Sequence, residues 1–269
     1  MDWGLRNRLS RILKPEDGRT VMLAADHGYF LGPTHRLEDP RRTLQPLLPW
    51  ADALMVTRGV VRQCVDPDSP VPLVLRVSGG STIVGPDLAD EVVTAAMEDA
   101  VRLNASAVAV SVFIGSARER QTLENLGRLV DQGIACGVPV LGVTAVGKEL
   151  EKRDARYLAL ACRVVAEFGA HFVKTYYCEG FEEVVAGCPV PVVIAGGPKM
   201  ESGRDALELA YRAMREGAAG VDMGRNVWQS EHPVPMLRAL RAIVHERATV
   251  EQAQELFDEL SRSGRRQPV

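Results

Sequence analysis

Short runs of aliphatic and β-branched residues alternate along the chain with longer amphipathic stretches, from one end to the other. This alternation marks βα units laid around a parallel sheet. Strands are predicted at residues 20–26, 53–57, 72–77, 107–113, 139–143, 172–176, 191–195 and 220–223, eight in all. Helical patterns fall between them at 88–103, 118–136, 153–168, 181–186, 204–216 and 234–246, with a weaker one at 42–49. In the first of these, Val92, Ala95, Ala96, Ala100 and Leu103 recur at three- and four-residue steps, so they share a face expected to cover the sheet. Gly137, Gly169 and Gly217 follow predicted helices and can take the left-handed conformation that ends one.

Eight units without a linker or a shift in composition predict an α/β protein with one closed (β/α)8 barrel of the TIM type. The barrel is expected over residues 20–247, after a helical segment at 1–19 and before a helical tail at 248–269. A short helix at 3–13 is expected to plug the lower mouth and an exposed one to run over 250–262; either can serve subunit contacts. The rival is a doubly wound open sheet. That fold usually shows a G-x-G-x-x-G turn after its first strand, where this chain reads Asp26-His27-Gly28-Tyr29-Phe30.

Composition narrows the function classes. No apolar run in the 269 residues is long enough to span a membrane, and a net charge of -3 without a long Lys/Arg run gives no footprint for nucleic acid. The first residues show no secretory pattern, so a cytoplasmic protein is expected. Five scattered cysteines without a C-x-x-C pair are read as mostly buried thiols. The five histidines form no ligand pair, so a bound metal is not expected, and no G-x-S-x-G elbow supports hydrolysis.

In such barrels the reacting groups lie at the carboxyl ends of the strands. Lys174 stands out there, because it interrupts an apolar strand and burial disfavours its ammonium form. An uncharged amine can attack a ketone and form a Schiff base; the plainer reading is an ion pair with a neighbouring strand's carboxylate. Asp26, at the end of the first strand, can pair with Lys174 across the barrel and move protons, or simply cap a turn. His27 alternates to the other side of that strand and reads as structural. Gly196, Gly197 and Lys199 after the seventh strand, with Gly224 and Arg225 after the eighth, form a candidate phosphate site or two tight turns. Arg58 and Arg76 suit substrate or structural ion pairs, and Ser78-Gly79-Gly80-Ser81 either binds an anion or is a plain loop. His27, Arg58, Thr144, Lys148 and Tyr176 complete the candidate set. Cys178, beside the lysine strand, lacks a nearby base that would make it an acyl carrier.

Asp26-His27-Gly28-Tyr29-Phe30, Lys174-Thr175-Tyr176-Tyr177 and the stretches 185–191 and 220–226 carry a resemblance that runs from residue 2 to about residue 245. The chain resembles the lysine-dependent aldolases typified by prokaryotic class I fructose-bisphosphate aldolases. The resemblance implies an eight-stranded barrel, an imine-forming Lys174, an acid at Asp26, and phosphate binding by Gly196, Gly197, Gly224 and Arg225. Sugar-phosphate aldolases of the family carry a proton-donating tyrosine at the end of the fifth strand, where this chain has Thr144-Ala145-Val146. The departure favours a branch, active in autoinducer-2 breakdown, that gives an acetyl group from a phosphorylated ketone to coenzyme A. A class I aldolase of the dihydroxyacetone-phosphate type, acting on fructose bisphosphate or an amino-sugar precursor, is the alternative reading, and a non-catalytic sugar-phosphate-binding barrel the reading from another class. Coenzyme A would be a co-substrate, with no cofactor held. The exposed tails and the resemblance together imply a ring-based homo-oligomer; ten subunits is the number the family suggests, and composition does not set it.

Overall fold

The computed structural model describes residues 2–145 and 154–264. Its strands are β1 (Thr20–Ala24), β2 (Ala53–Thr57), β3 (Leu73–Arg76), β4 (Ser78–Gly79), β5 (Val92–Val93), β6 (Ala107–Val112), β7 (Val140–Thr144), β8 (Phe172–Tyr176), β9 (Val192–Ala195) and β10 (Gly220–Met223). Eight of them close in the order β1-β10-β9-β8-β7-β6-β3-β2, all parallel, which excludes the open-sheet rival.

Residues alternate across each strand, so one set faces the helices and the other the barrel axis. Val21, Leu23, Leu54, Val56, Val108 and Val110 face outward and merge with the helices into the main core. Met22, Met55, Val74, Ala109, Leu141 and Phe172 form a separate inner cluster, and with them packs Ile12 from the helix Trp3–Ile12. Asp2 starts that helix by accepting from the Leu5 N–H at 2.8 Å. Its far end thus packs into the lower mouth.

Beside this plug, His245 reaches Asp17 through Nδ1 and Asp52 through Nε2, each at 2.7 Å. Asp52 also accepts from the Val21 N–H at 2.7 Å and from Arg241 at 2.7 Å, so the cluster ties the helix Pro233–Glu246 to the root of β1.

Two expectations need correction. The helix predicted at 88–103 shrinks to Met97–Arg102, because Val92–Val93 pairs antiparallel with Ser78–Gly79. The N–H groups of Thr94 and Ala95 both go to the Val77 carbonyl, and Glu91 is buried to accept from Ser78 Oγ at 2.6 Å. The β-branched pair and the buried acid outweigh the helical spacing. The last helix, Val250–Gly264, is docked as well as exposed: Val250 and Ala253 are buried and Glu251 pairs with Arg204.

Candidate active site

The same alternation that points Phe172 at the axis points Lys174 there, one layer higher. Its strand neighbours, Val143 and Val193, are apolar, so no adjacent strand offers a counter-charge. Lys174 instead reaches past β9 to β10, where its Nζ lies 2.7 Å from Asp222 Oδ2, and touches Met55 Sδ at 3.8 Å. Both partners are buried. Burial pushes the Asp222 carboxyl up from its ordinary value, and the nearby Lys174 only partly offsets this. A carboxylate so placed can take a proton from the amine and release a neutral nucleophile.

Asp26 is in the same cavity but is not the lysine's partner. Arg76 Nε donates to Asp26 Oδ2 at 2.9 Å, and Arg76 Nη1 donates to Ser111 Oγ at 2.8 Å. Burial acts to raise the Asp26 carboxyl, and the Arg76 guanidinium beside it wins, holding it below the ordinary carboxylate value. The guanidinium also lies 5.6 Å from the Tyr29 ring centre, and Tyr29 donates its hydroxyl to Glu91 at 2.7 Å. This chain of contacts gives Asp26 one fixed orientation.

His27 also lines the cavity, contrary to its expected place on the far side of the strand. β1 ends at Ala24, and His27 already has helical backbone angles (φ −57°, ψ −28°), so strand alternation no longer governs it. Its ring meets Trp228 edge to face at 5.6 Å, and Trp228 Nε1 donates to the Ala24 carbonyl at 3.0 Å. Burial pushes the imidazole down to about 4, so it is neutral near pH 7.

On the two strands that follow the lysine strand around the barrel, Gly196, Gly197, Gly224 and Arg225 line the cavity after β9 and β10. Gly197 has φ +67°, a conformation that favours glycine. The loop is held from within by Asn226, fully buried, whose Nδ2 donates to the Gly196 and Pro198 carbonyls at 2.8 and 3.0 Å while its Oδ1 accepts from the Met200 N–H at 2.8 Å.

The remaining candidates divide. Tyr176 lines the cavity. Thr144 borders it, with its hydroxyl donated to Thr175 Oγ1 at 2.8 Å. Arg58 lies elsewhere, paired with Asp99 at 3.4 Å, and Lys199 is exposed in a separate groove with Glu201, Asp205 and Arg212. Lys148 falls outside the described residues. Cys178 is buried, and its thiol is pushed up to about 11 by burial, far from a thiolate. Asp222, Asn226 and Glu91 are contributors the sequence reading missed. Asp222 carries the signal that exposed Lys174, a charge inside an apolar strand. Among the described residues no group of three or more His, Cys, Asp or Glu could hold a metal ion, and no helix is long and apolar enough to cross a membrane.

An amine beside a proton acceptor, facing a cationic glycine rim, suits a ketone with an anionic tail. Residues 20–230 match the DeoC/LacD family of aldolases. The 3-hydroxy-5-phosphonooxypentane-2,4-dione thiolase of Escherichia coli (strain K12) is 52% identical over 96% of this chain and 88% of that protein. Its namesake in Photorhabdus laumondii is 53% identical over the same shares. An archaeal fructose-1,6-bisphosphate aldolase, solved with its catalytic lysine bound to a carbinolamine intermediate, is 29% identical at a TM-score of 0.81, over 89% of this chain and 99% of that one. A fructose-bisphosphate aldolase from Slackia heliotrinireducens, 19% identical at a TM-score of 0.83 over 96% of this chain and 92% of that one, shares the fold.

Proposed function

Since the chain belongs to the DeoC/LacD family of aldolases, we propose that it transfers an acetyl group from 3-hydroxy-5-phosphonooxypentane-2,4-dione to coenzyme A, releasing acetyl-coenzyme A and dihydroxyacetone phosphate. The observation that carries this reading is the buried Lys174–Asp222 pair facing the rim of Gly196, Gly197, Gly224 and Arg225, in a chain 52% identical to a thiolase of that name.

The phosphate rests on the glycine N–H groups and Arg225, which brings the C4 ketone to Lys174. Asp222 takes the lysine proton, and the amine adds to C4. Loss of water gives an iminium. Coenzyme A sulfur attacks the C2 carbonyl, the C2–C3 bond breaks, and its electron pair enters the iminium as an enamine. Sulfur leaves with the acetyl group. Protonation at C3 and hydrolysis free dihydroxyacetone phosphate and restore Lys174. Asp26, kept ionised by Arg76, is a hydrogen-bond acceptor for a substrate hydroxyl rather than an acid.

Coenzyme A as second substrate, a cytoplasmic location and assembly into a homo-oligomer belong to the same proposal. The first rests on the relatives' name and the second follows from a co-substrate kept inside cells. The exposed apolar side chains of Trp3, Ile134 and Phe168 support the third. Incubation with the dione phosphate and coenzyme A is expected to yield acetyl-coenzyme A and dihydroxyacetone phosphate in equal amounts. Aldehyde-dependent turnover of a sugar phosphate without acetyl-coenzyme A would replace the reading with an aldolase.

A further inference from the structure

We propose that His27 is the proton carrier of this reaction: its imidazole takes the thiol proton of coenzyme A as sulfur attacks C2, and gives the same proton to C3 of the enamine. The inference rests on the thiolase reading. One proton leaves sulfur and one arrives at carbon, so a single group that is neutral before the attack and neutral after protonation balances the cycle without an outside acid.

Few groups in the cavity can fill that role. Lys174 is consumed in the iminium, and Asp222 is its proton partner. Asp26 is bound by Arg76, the Tyr29 hydroxyl is donated to Glu91, and Glu91 also accepts from Ser78. Among the described titratable residues lining the cavity, His27 and Tyr176 remain. An imidazole accepts and donates near neutrality, whereas a phenol ordinarily titrates near about 10 and is a poor acceptor for a thiol proton.

The placement of His27 fits the task. The ring is fixed against Trp228 and abuts Gly224, where a Cβ would overlap His27 Cε1, so it stands beside the proposed phosphate rim. Its buried Nδ1 has no hydrogen-bond partner among the described residues, and Asp26 Oδ1 lies 3.9 Å away. The carboxylate is near enough to steady a transient imidazolium. Burial first, and the cations Lys174, Arg225 and Arg76 after it, keep the ring neutral in the empty enzyme against the pull of Asp26. A phosphate dianion at the rim offsets Arg225, so substrate binding itself raises the basicity of the ring.

The test is solvent exchange at the hydroxymethyl carbon of dihydroxyacetone phosphate in deuterium oxide, followed by NMR, alongside borohydride trapping on Lys174. In His27→Asn and His27→Gln, trapping is expected to persist while exchange falls by roughly 10²–10⁴-fold, the usual span for general acid–base catalysis. Exchange at the native rate in either folded variant would overturn the proposal. So would loss of trapping in both folded variants, which would assign the imidazole to imine formation, or a loss of exchange in Tyr176→Phe with none in the histidine variants. Exchange needs no coenzyme A, so it judges His27 even if the native protein makes no acetyl-coenzyme A, the result that sinks the thiolase reading.

Discussion

Lys174 and Asp222 are a charged pair in a place where each would be costly alone. Removing one leaves the other buried and uncompensated. Asp222→Asn keeps the shape but removes the acceptor of the lysine proton, so borohydride trapping with dihydroxyacetone phosphate is expected to slow by roughly 10²-fold or more. A native trapping rate would exclude Asp222 as the acceptor. Lys174 was legible in the sequence because a cation interrupts Phe172-Val173-Lys174-Thr175. Asp222 interrupts Gly220-Val221-Asp222-Met223 in the same way, yet the glycines after it drew the reading to the rim. What no pattern could supply was the pairing. Asp26, Asp222, Arg76 and Lys174 all lie within or just past strands, and who meets whom depends on radial position around the barrel, which sequence spacing does not encode.

At the level of elements, the barrel strands were legible to within one residue, apart from the Asp26 end of β1, which stops two residues earlier, because each is a compact apolar run with turn residues at its borders. The hairpin of β4 and β5 was not, since two-residue strands have no periodicity to read. The loop after β9 depends on a residue the sequence reading passed over. Asn226→Ala removes the side chain that holds Gly196, Pro198 and Met200. It leaves the buried Gly196 carbonyl unpaired, a loss of about 1–3 kcal/mol, and is expected to raise KM for the phosphorylated substrate by roughly tenfold or more with a smaller change in kcat. The seam of the barrel has a sharper requirement. Gly220, at φ +148°, pairs with Thr20 where β10 meets β1, and a Cβ there would fall on the Thr20 carbonyl. Gly220→Ala is expected to destabilise the fold by more than about 1 kcal/mol, measured by urea denaturation.

The whole molecule was legible because closure of eight parallel strands follows from their number and from the absence of a linker. Its pH response was not, because the His245 cluster joins residues far apart in the chain. Burial acts to lower the His245 value, and the carboxylates of Asp52 and Asp17 more than reverse this, so the folded value is raised above 6.5. The clamp therefore contributes fully below pH 6.5 and is lost as pH rises through the folded value. His245→Gln is expected to lower the Tm most in mildly acidic buffer, with the difference from the native protein narrowing at alkaline pH. An equal difference at every pH would mean that the imidazole is not charged in the fold. The plug made by Ile12 has a kinetic corollary. It leaves the barrel a blind-ended vessel, so traffic passes through one doorway, and whatever enters first leaves last. On the thiolase reading, the dione phosphate is expected to enter ahead of coenzyme A, and acetyl-coenzyme A to depart before dihydroxyacetone phosphate. Excess coenzyme A would then jam the entrance, seen as inhibition that rising dione phosphate relieves.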